Sequence, residues 1–97
     1  MLNMNQTFKA LADPTRRKIL NLLKDRDMTA GEISDQFQMS KPSISQHLKI
    51  LKQAELIQDE KKGQYIIYSL NTTMFQEIIG WAFSFTEQAG KDKGDAK

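Results

Sequence analysis

Side chains able to do chemistry are sparse in this chain, and the densest set lies in its middle. Over residues 40–54, S-K-P-S-I-S-Q-H-L-K-I-L-K-Q-A, hydroxyls, amides and ammonium groups recur at helical spacing. At about 100° per residue, Pro42, Ser45, Gln46, Lys49 and Gln53 fall on one side, with Lys41, Ser43 and Lys52 on the flanks. No acid interrupts that face. Amides and hydroxyls can exchange hydrogen bonds with base edges, and ammonium groups can pair with phosphates. The chemistry is that of a helix entering a DNA major groove. A solvated helix surface also favours Lys and Gln, so this face alone leaves both readings open.

Catalysis has little to work with. There is no cysteine, which removes disulfides, thiolate metal sites and thiol redox sensing. The one histidine, His47, lies in the same helical stretch, and a lone histidine on a helix flank is more often a packing or phosphate-contacting group than a metal ligand. No glycine-rich phosphate loop or nucleophile–base pair is present. The expectation is a binding protein, not an enzyme, with no metal and no cofactor.

The elements that must hold the polar face can be read outward from it. Ser40 can cap the helix, Pro42 suits its first turn, and Ile44, Leu48 and Leu51 form the buried stripe at i, i+4 and i+7. Upstream, Thr29 and Glu32 make a T-x-x-E capping box for a shorter helix whose buried side is Ile33 and Phe37. Residues 38–40 form the turn between the two. Short helix, tight turn and polar-faced helix together give a helix-turn-helix pattern. Before it, residues 4–12 form a short helix carrying Phe8, Leu11 and Ala12. Asp13 then caps, and Pro14 starts, a second helix to about residue 24. Arg16, Arg17 and Lys18 near that helix start oppose its macrodipole. A phosphate or an acidic neighbour would relieve them, and so would plain solvation.

Beyond Glu55 the period shortens. Leu56-Ile57 and residues 65–70, Y-I-I-Y-S-L, are strand-like, and D-E-K-K-G-Q lies between them. This predicts a two-stranded hairpin with its tip at residues 61–63 and Gly63 free to take positive φ. Such a tip is charged because it is exposed, or because it touches DNA beside the polar helix as a wing. Residues 71–73 cap a last helix over 74–88, in which Phe75, Ile78, Ile79, Trp81, Ala82 and Phe85 are more than one small core can bury. The surplus is core packing or a partner surface, and a two-fold dimer is the usual form of the latter.

At 97 residues the chain makes one domain, expected to span 1–88 with a polar, disordered tail over 89–97. Hydrophobic content of 39% fits a globular fold, and a net charge of +2 permits a polyanion partner without requiring one. No apolar run approaches the ~20 residues of a membrane span, so a cytoplasmic location is expected.

The residues 8–23, F-K-A-L-A-D-P-T-R-R-K-I-L-N-L-L, resemble the opening of the ArsR/SmtB family of winged-helix repressors. So do M-T-A-G-E-I-S-D-Q-F at 28–37, the 40–57 stretch ending A-E-L-I, and G-Q-Y-I-I-Y-S-L at 63–70. The resemblance covers about residues 6–88 and is closest to the SdpR-type autorepressor branch. It implies a mainly α fold with a small β-hairpin, a winged helix-turn-helix. It further implies a homodimer through the first and last helices and repression by occupying double-stranded operator DNA, and the apolar surplus on those helices places Phe8, Leu11, Phe75, Ile78, Trp81 and Phe85 at that interface. DNA contacts carried over fall on Lys41, Pro42, Ser43, Ser45, Gln46 and Lys49, with wing contacts at Lys61, Lys62 and Gln64. Two departures matter. The paired cysteines of metal-sensing members are absent from residues 29–33, and the Asp/His set other members carry in the last helix is absent from 74–88. Regulation would then fall to a regulatory protein, a small-molecule inducer or the protein's own concentration. A protein-interaction module on the same scaffold, using Trp81, Phe83 and Phe85, is the competing reading.

Overall fold

The computed structural model describes the backbone of residues 2–95 and the side chains of residues 2–86. In chain order the elements are α1 (Met4–Leu11), α2 (Pro14–Asp25), β1 (Met28–Thr29), α3 (Ala30–Ser34), α4 (Lys41–Gln53), β2 (Ile57–Lys62), β3 (Tyr65–Leu70) and α5 (Thr72–Asp95). The helix starts follow from capping chemistry. Asp13 accepts from the Thr15 and Arg16 N–H groups with Pro14 in the first turn, and Ser40 accepts from the Ser43 N–H with Pro42 in place. Thr29 and Glu32 complete their reciprocal capping box at 3.1 and 2.9 Å.

One core ties α2, α3, α4 and the sheet together. Ile19, Ile33, Ile44, Leu48, Leu51 and Leu56 are fully buried, and Leu11, Phe75 and Ile78 pack on its margin. The stripe of α4 is therefore Ile44, Leu48 and Leu51, as its spacing requires.

Three expectations need correction. Helix α3 ends at Ser34, short of Phe37, because Gln36 and Phe37 donate to the carbonyls of Ile33 and Ser34 and tighten the chain into three-residue turns. Phe37 is half-buried in that turn, its ring under the Lys18 ammonium at 4.9 Å. The sheet has three strands in the order β1-β3-β2, since Met28 pairs with Tyr68 and Thr29 with Ile67. The hairpin tip is Gly63-Gln64, because Lys62 pairs directly with Tyr65 and Gly63 sits at φ 62°.

The passage from α4 into β2 uses a non-glycine residue in the left-handed region, Glu55 at φ 60°. The strain, on the order of 1 kcal/mol, is held by a Schellman arrangement: the N–H groups of Glu55 and Leu56 donate to the carbonyls of Lys52 and Leu51. Asn71 locks the same corner, donating from its amide to the Glu55 carbonyl and accepting from the Met74 N–H at the start of α5. α5 is longer than the expected 74–88, and the tail expected over 89–97 falls outside the described side chains.

Candidate nucleic-acid interface

Helix α4 presents Lys41, Pro42, Ser43, Ser45, Gln46, Lys49, Lys52 and Gln53 to solvent over its buried stripe. The sequence-predicted residues on this helix are therefore brought together on one accessible surface. Ser43 is the most constrained, since its hydroxyl accepts from Ser40 at 3.0 Å, which fixes the start of the helix and the position of that hydroxyl together. Gln46 and Lys49 enter no hydrogen bond or ion pair among the described residues, so their polar ends are available to a ligand.

The wing is arranged differently from its sequence reading. Lys61 and Lys62 lie within β2, where successive side chains point to opposite faces of the sheet. Asp59 bonds Lys52 of α4 at 2.8 Å, so the face of Asp59 is the one turned toward α4. Lys61, two residues on, shares that face. Lys62 lies on the other, with Glu60, whose carboxylate is 3.5 Å from its ammonium. Only Lys61 extends the basic surface of α4, while Gln64 occupies the turn between the strands. The bond and charge of Asp59 raise the Lys52 pKa above its ordinary value, so Lys52 stays cationic.

The basic cluster opening α2 has a role that residue types alone did not show. Arg16 is buried and donates from Nε to the Ala10 carbonyl at 2.9 Å and from Nη2 to the Lys9 carbonyl at 2.8 Å. Arg17 donates to the Leu11 carbonyl at 2.7 Å. The cations that oppose the dipole of α2 instead satisfy the orphan carbonyls at the negative end of α1. The third arm of Arg16 lies 3.2 Å from Nδ1 of His47, so a guanidinium joins α1 to α4. As Arg16 can only donate, His47 accepts at Nδ1 and carries its proton on Nε2. Burial raises the Asp13 pKa, but the N–H groups of Arg16 and Thr15, helped by the charge of Arg16, outweigh it and leave the carboxyl below its usual value. Asp13 thus adds stability above its unfolded pKa, lost as the pH falls through the lower folded value.

Residues 13–59 match the model of the family described as bacterial regulatory protein, arsR family, a span running from the cap of α2 into the wing. The transcriptional repressor SdpR of Bacillus subtilis (strain 168) is 61% identical over 89 residues, 92% of this chain and 99% of that protein. The chain belongs to the arsR family. The fold of this ArsR-family chain also matches the crystal structure of an ArsR family transcriptional regulator with a TM-score of 0.82 at 30% identity, over 90% of this chain and 96% of that one. HlyU from Vibrio cholerae N16961 matches with a TM-score of 0.68 at 30% identity, over 82% and 87% of the two chains. The winged helix-turn-helix architecture expected from the motif order is the one observed.

Among the described residues of this ArsR-family chain, no three His, Cys, Asp or Glu side chains gather where they could hold a metal ion. Nor is any described helix long and apolar enough to cross a membrane. The Lys52–Asp59 pair and the Arg16–His47 link are the features of this surface that residue types and spacing did not show. Lys52 was placed only on the helix flank; its seven-residue separation from Asp59 carries no periodic signal, because it crosses the corner at Glu55.

Proposed function

We propose that the chain is a DNA-binding transcriptional repressor of the ArsR type, acting in the cytoplasm as a homodimer on double-stranded operator DNA. The observation that carries this reading is the acid-free outward face of α4, with Gln46 and Lys49 unengaged, beside a wing whose Lys61 extends the same basic surface. The near-full-length likeness to a protein named as a transcriptional repressor supports it. Lys41, Pro42, Ser43, Ser45 and Gln46 approach base edges and the adjoining backbone, Lys49 and Lys61 pair with phosphates, and Gln64 reaches the backbone from the wing turn. Regulation comes from a protein partner, a small molecule or the repressor's own concentration.

The test is footprinting on the DNA upstream of the chain's own coding sequence, followed by binding of variants to that operator and to scrambled duplex at several salt concentrations. Gln46→Ala is expected to cost roughly 1–2 kcal/mol per half-site on the operator and little on scrambled DNA, since it removes a base contact. Lys61→Ala should weaken both complexes alike and lower the salt slope by about one per contact. Lys62→Ala should do less than Lys61→Ala, because Lys62 lies on the sheet face turned away from α4. Equal losses for Gln46→Ala on both duplexes would remove that residue from base reading, and no loss for any variant would favour a protein-interaction module.

A second expectation concerns metals. A zinc site needs about four ligands of the His, Cys and carboxylate kind, and the described residues bring no three together. Operator affinity should be the same in zinc and in chelator. A reproducible tenfold difference would show an overlooked site.

A further inference from the structure

An open groove of about 370 Å³ runs along the wing side of α4, lined by Ser45, Lys49, Lys52, Gln53 and Tyr68. Its polar chemistry is one-sided. Two ammonium groups, two hydroxyls and an amide can all donate into it, and the acid nearest to it, Asp59, is engaged with Lys52 from the sheet side at 2.8 Å. Tyr68 is half-buried in the middle of β3, so its ring is fixed by the sheet, while its hydroxyl makes no hydrogen bond among the described residues. A phenol held rigid, unengaged and flanked by two lysines fits an anion with several acceptor oxygens, the tetrahedral phosphate group. The groove also lies between the base-reading face of α4 and Lys61 of the wing, where a duplex lying on both would run its backbone.

We propose that Tyr68, with Lys49 and Lys52, grips one backbone phosphate of the bound duplex between the recognition helix and the wing, and that Asp59 positions Lys52 for that contact. The proposal rests on the DNA-binding reading and adds to it a site on the sheet. The contact is to the backbone, so it tightens binding without reading sequence, and it fixes how far α4 rolls in the groove relative to the wing.

Tyr68→Phe removes only the hydroxyl. It is expected to weaken binding by roughly tenfold, equally on operator and scrambled duplex, with an unchanged melting temperature. The double variant Lys52→Gln/Asp59→Asn leaves the net charge as it was and should also lose affinity on both duplexes. Ethylating operator phosphates one at a time should reveal one phosphate per half-site whose modification weakens the wild type and has no further effect on Tyr68→Phe. A Tyr68→Phe protein that binds both duplexes like the wild type overturns the proposal, as does one that loses affinity on the operator alone, which would make Tyr68 a base reader. Titration with inorganic phosphate separates the two sources of the anion. Saturable, Tyr68-dependent binding of free phosphate with no change in duplex affinity would make the groove a small-anion site and defeat the assignment to DNA. If Tyr68→Phe has no effect while Gln46→Ala still discriminates between duplexes, the proposal fails and the DNA-binding reading stands. If the wild type binds no duplex even at low salt, both fail.

Discussion

Trp81→Glu is expected to leave a folded monomer and to lower operator affinity on the order of 10²-fold or more, the gain that linking two half-site contacts supplies. The reason lies in the aromatic row that joins the two terminal helices. Phe8 of α1 meets Trp81 of α5 edge-to-face with ring centroids 5.8 Å apart, and Trp81 meets Phe85 in the same manner at 5.1 Å. The row is open to solvent: Phe8 is 52% exposed, Trp81 39% and Phe85 61%. Ile79 and Phe83, 53% and 58% exposed, lie round the other side of the same helix, about 160° from Trp81. A stable monomer rarely leaves an aromatic row of this kind uncovered, and a two-fold copy of the same surface covers it without a second protein. Leu11, Phe75 and Ile78 are more deeply placed, packed against the core margin, so in the proposed dimer they would lie beneath a contact formed by Phe8, Trp81 and Phe85. Placing a carboxylate at Trp81 puts one charge from each copy into the contact, and an unpaired buried charge costs several kcal/mol. The intramolecular core is untouched, so circular dichroism should match the wild type. Sedimentation at micromolar concentration should give twice the 11.1 kDa chain mass for the wild type and a single chain mass for the variant. A wild type that sediments as a single chain there would sink the dimer.

How much of this was legible in the sequence depends on the range of the interaction concerned. The helix starts at Pro14, Ala30 and Lys41 follow from caps within three residues, at Asp13, Thr29 with Glu32, and Ser40. The buried stripe of α4 is equally local, a matter of period alone. The pairing of β1 was invisible because two residues carry no alternation, and Met28-Thr29 already reads as the approach to a cap. The wing register was missed for a related reason. Lys61 and Lys62 have no strand propensity, and they join the ladder because Ile66 and Tyr65 stand opposite them. Which of two adjacent lysines faces the recognition helix then follows from the register, which composition does not contain. The arginines of α2 are the clearest case. Residue type and position predict a conflict with the dipole of their own helix, and the resolution is a different helix folded back over them.

That resolution makes Arg16 the residue whose loss should cost most in stability. A guanidinium offers a rigid fork of donors, and here three arms are used: on the carbonyls of Ala10 and Lys9 and on Nδ1 of His47. Hydrogen bonds from a charged donor contribute about 1.5–3 kcal/mol each where water is excluded, and Arg16 is only 8% exposed. Some of this is recovered in Arg16→Ala, because the end of α1 lies near solvent and water can reach its carbonyls. A net loss of roughly 3–4 kcal/mol remains, which for a domain of this size lowers the melting temperature by more than about 10 °C. Arg16→Lys should recover only part of the loss, since a single ammonium cannot span two carbonyls and the imidazole together. The same substitution tests whether α1 and the recognition helix are mechanically joined. With the link gone, His47 loses the donor that fixes its tautomer and ring orientation, and α1 loses the cap that sets its angle on α2. Measured at a temperature where Arg16→Lys is still folded, its operator affinity should fall by more than its affinity for scrambled duplex, because the pose of α4 matters most where bases are read. Thermal melts of both variants and duplex titrations of Arg16→Lys decide the matter. If Arg16→Ala melts within about 3 °C of the wild type, water replaces the fork and the guanidinium is not what holds α1 to the domain.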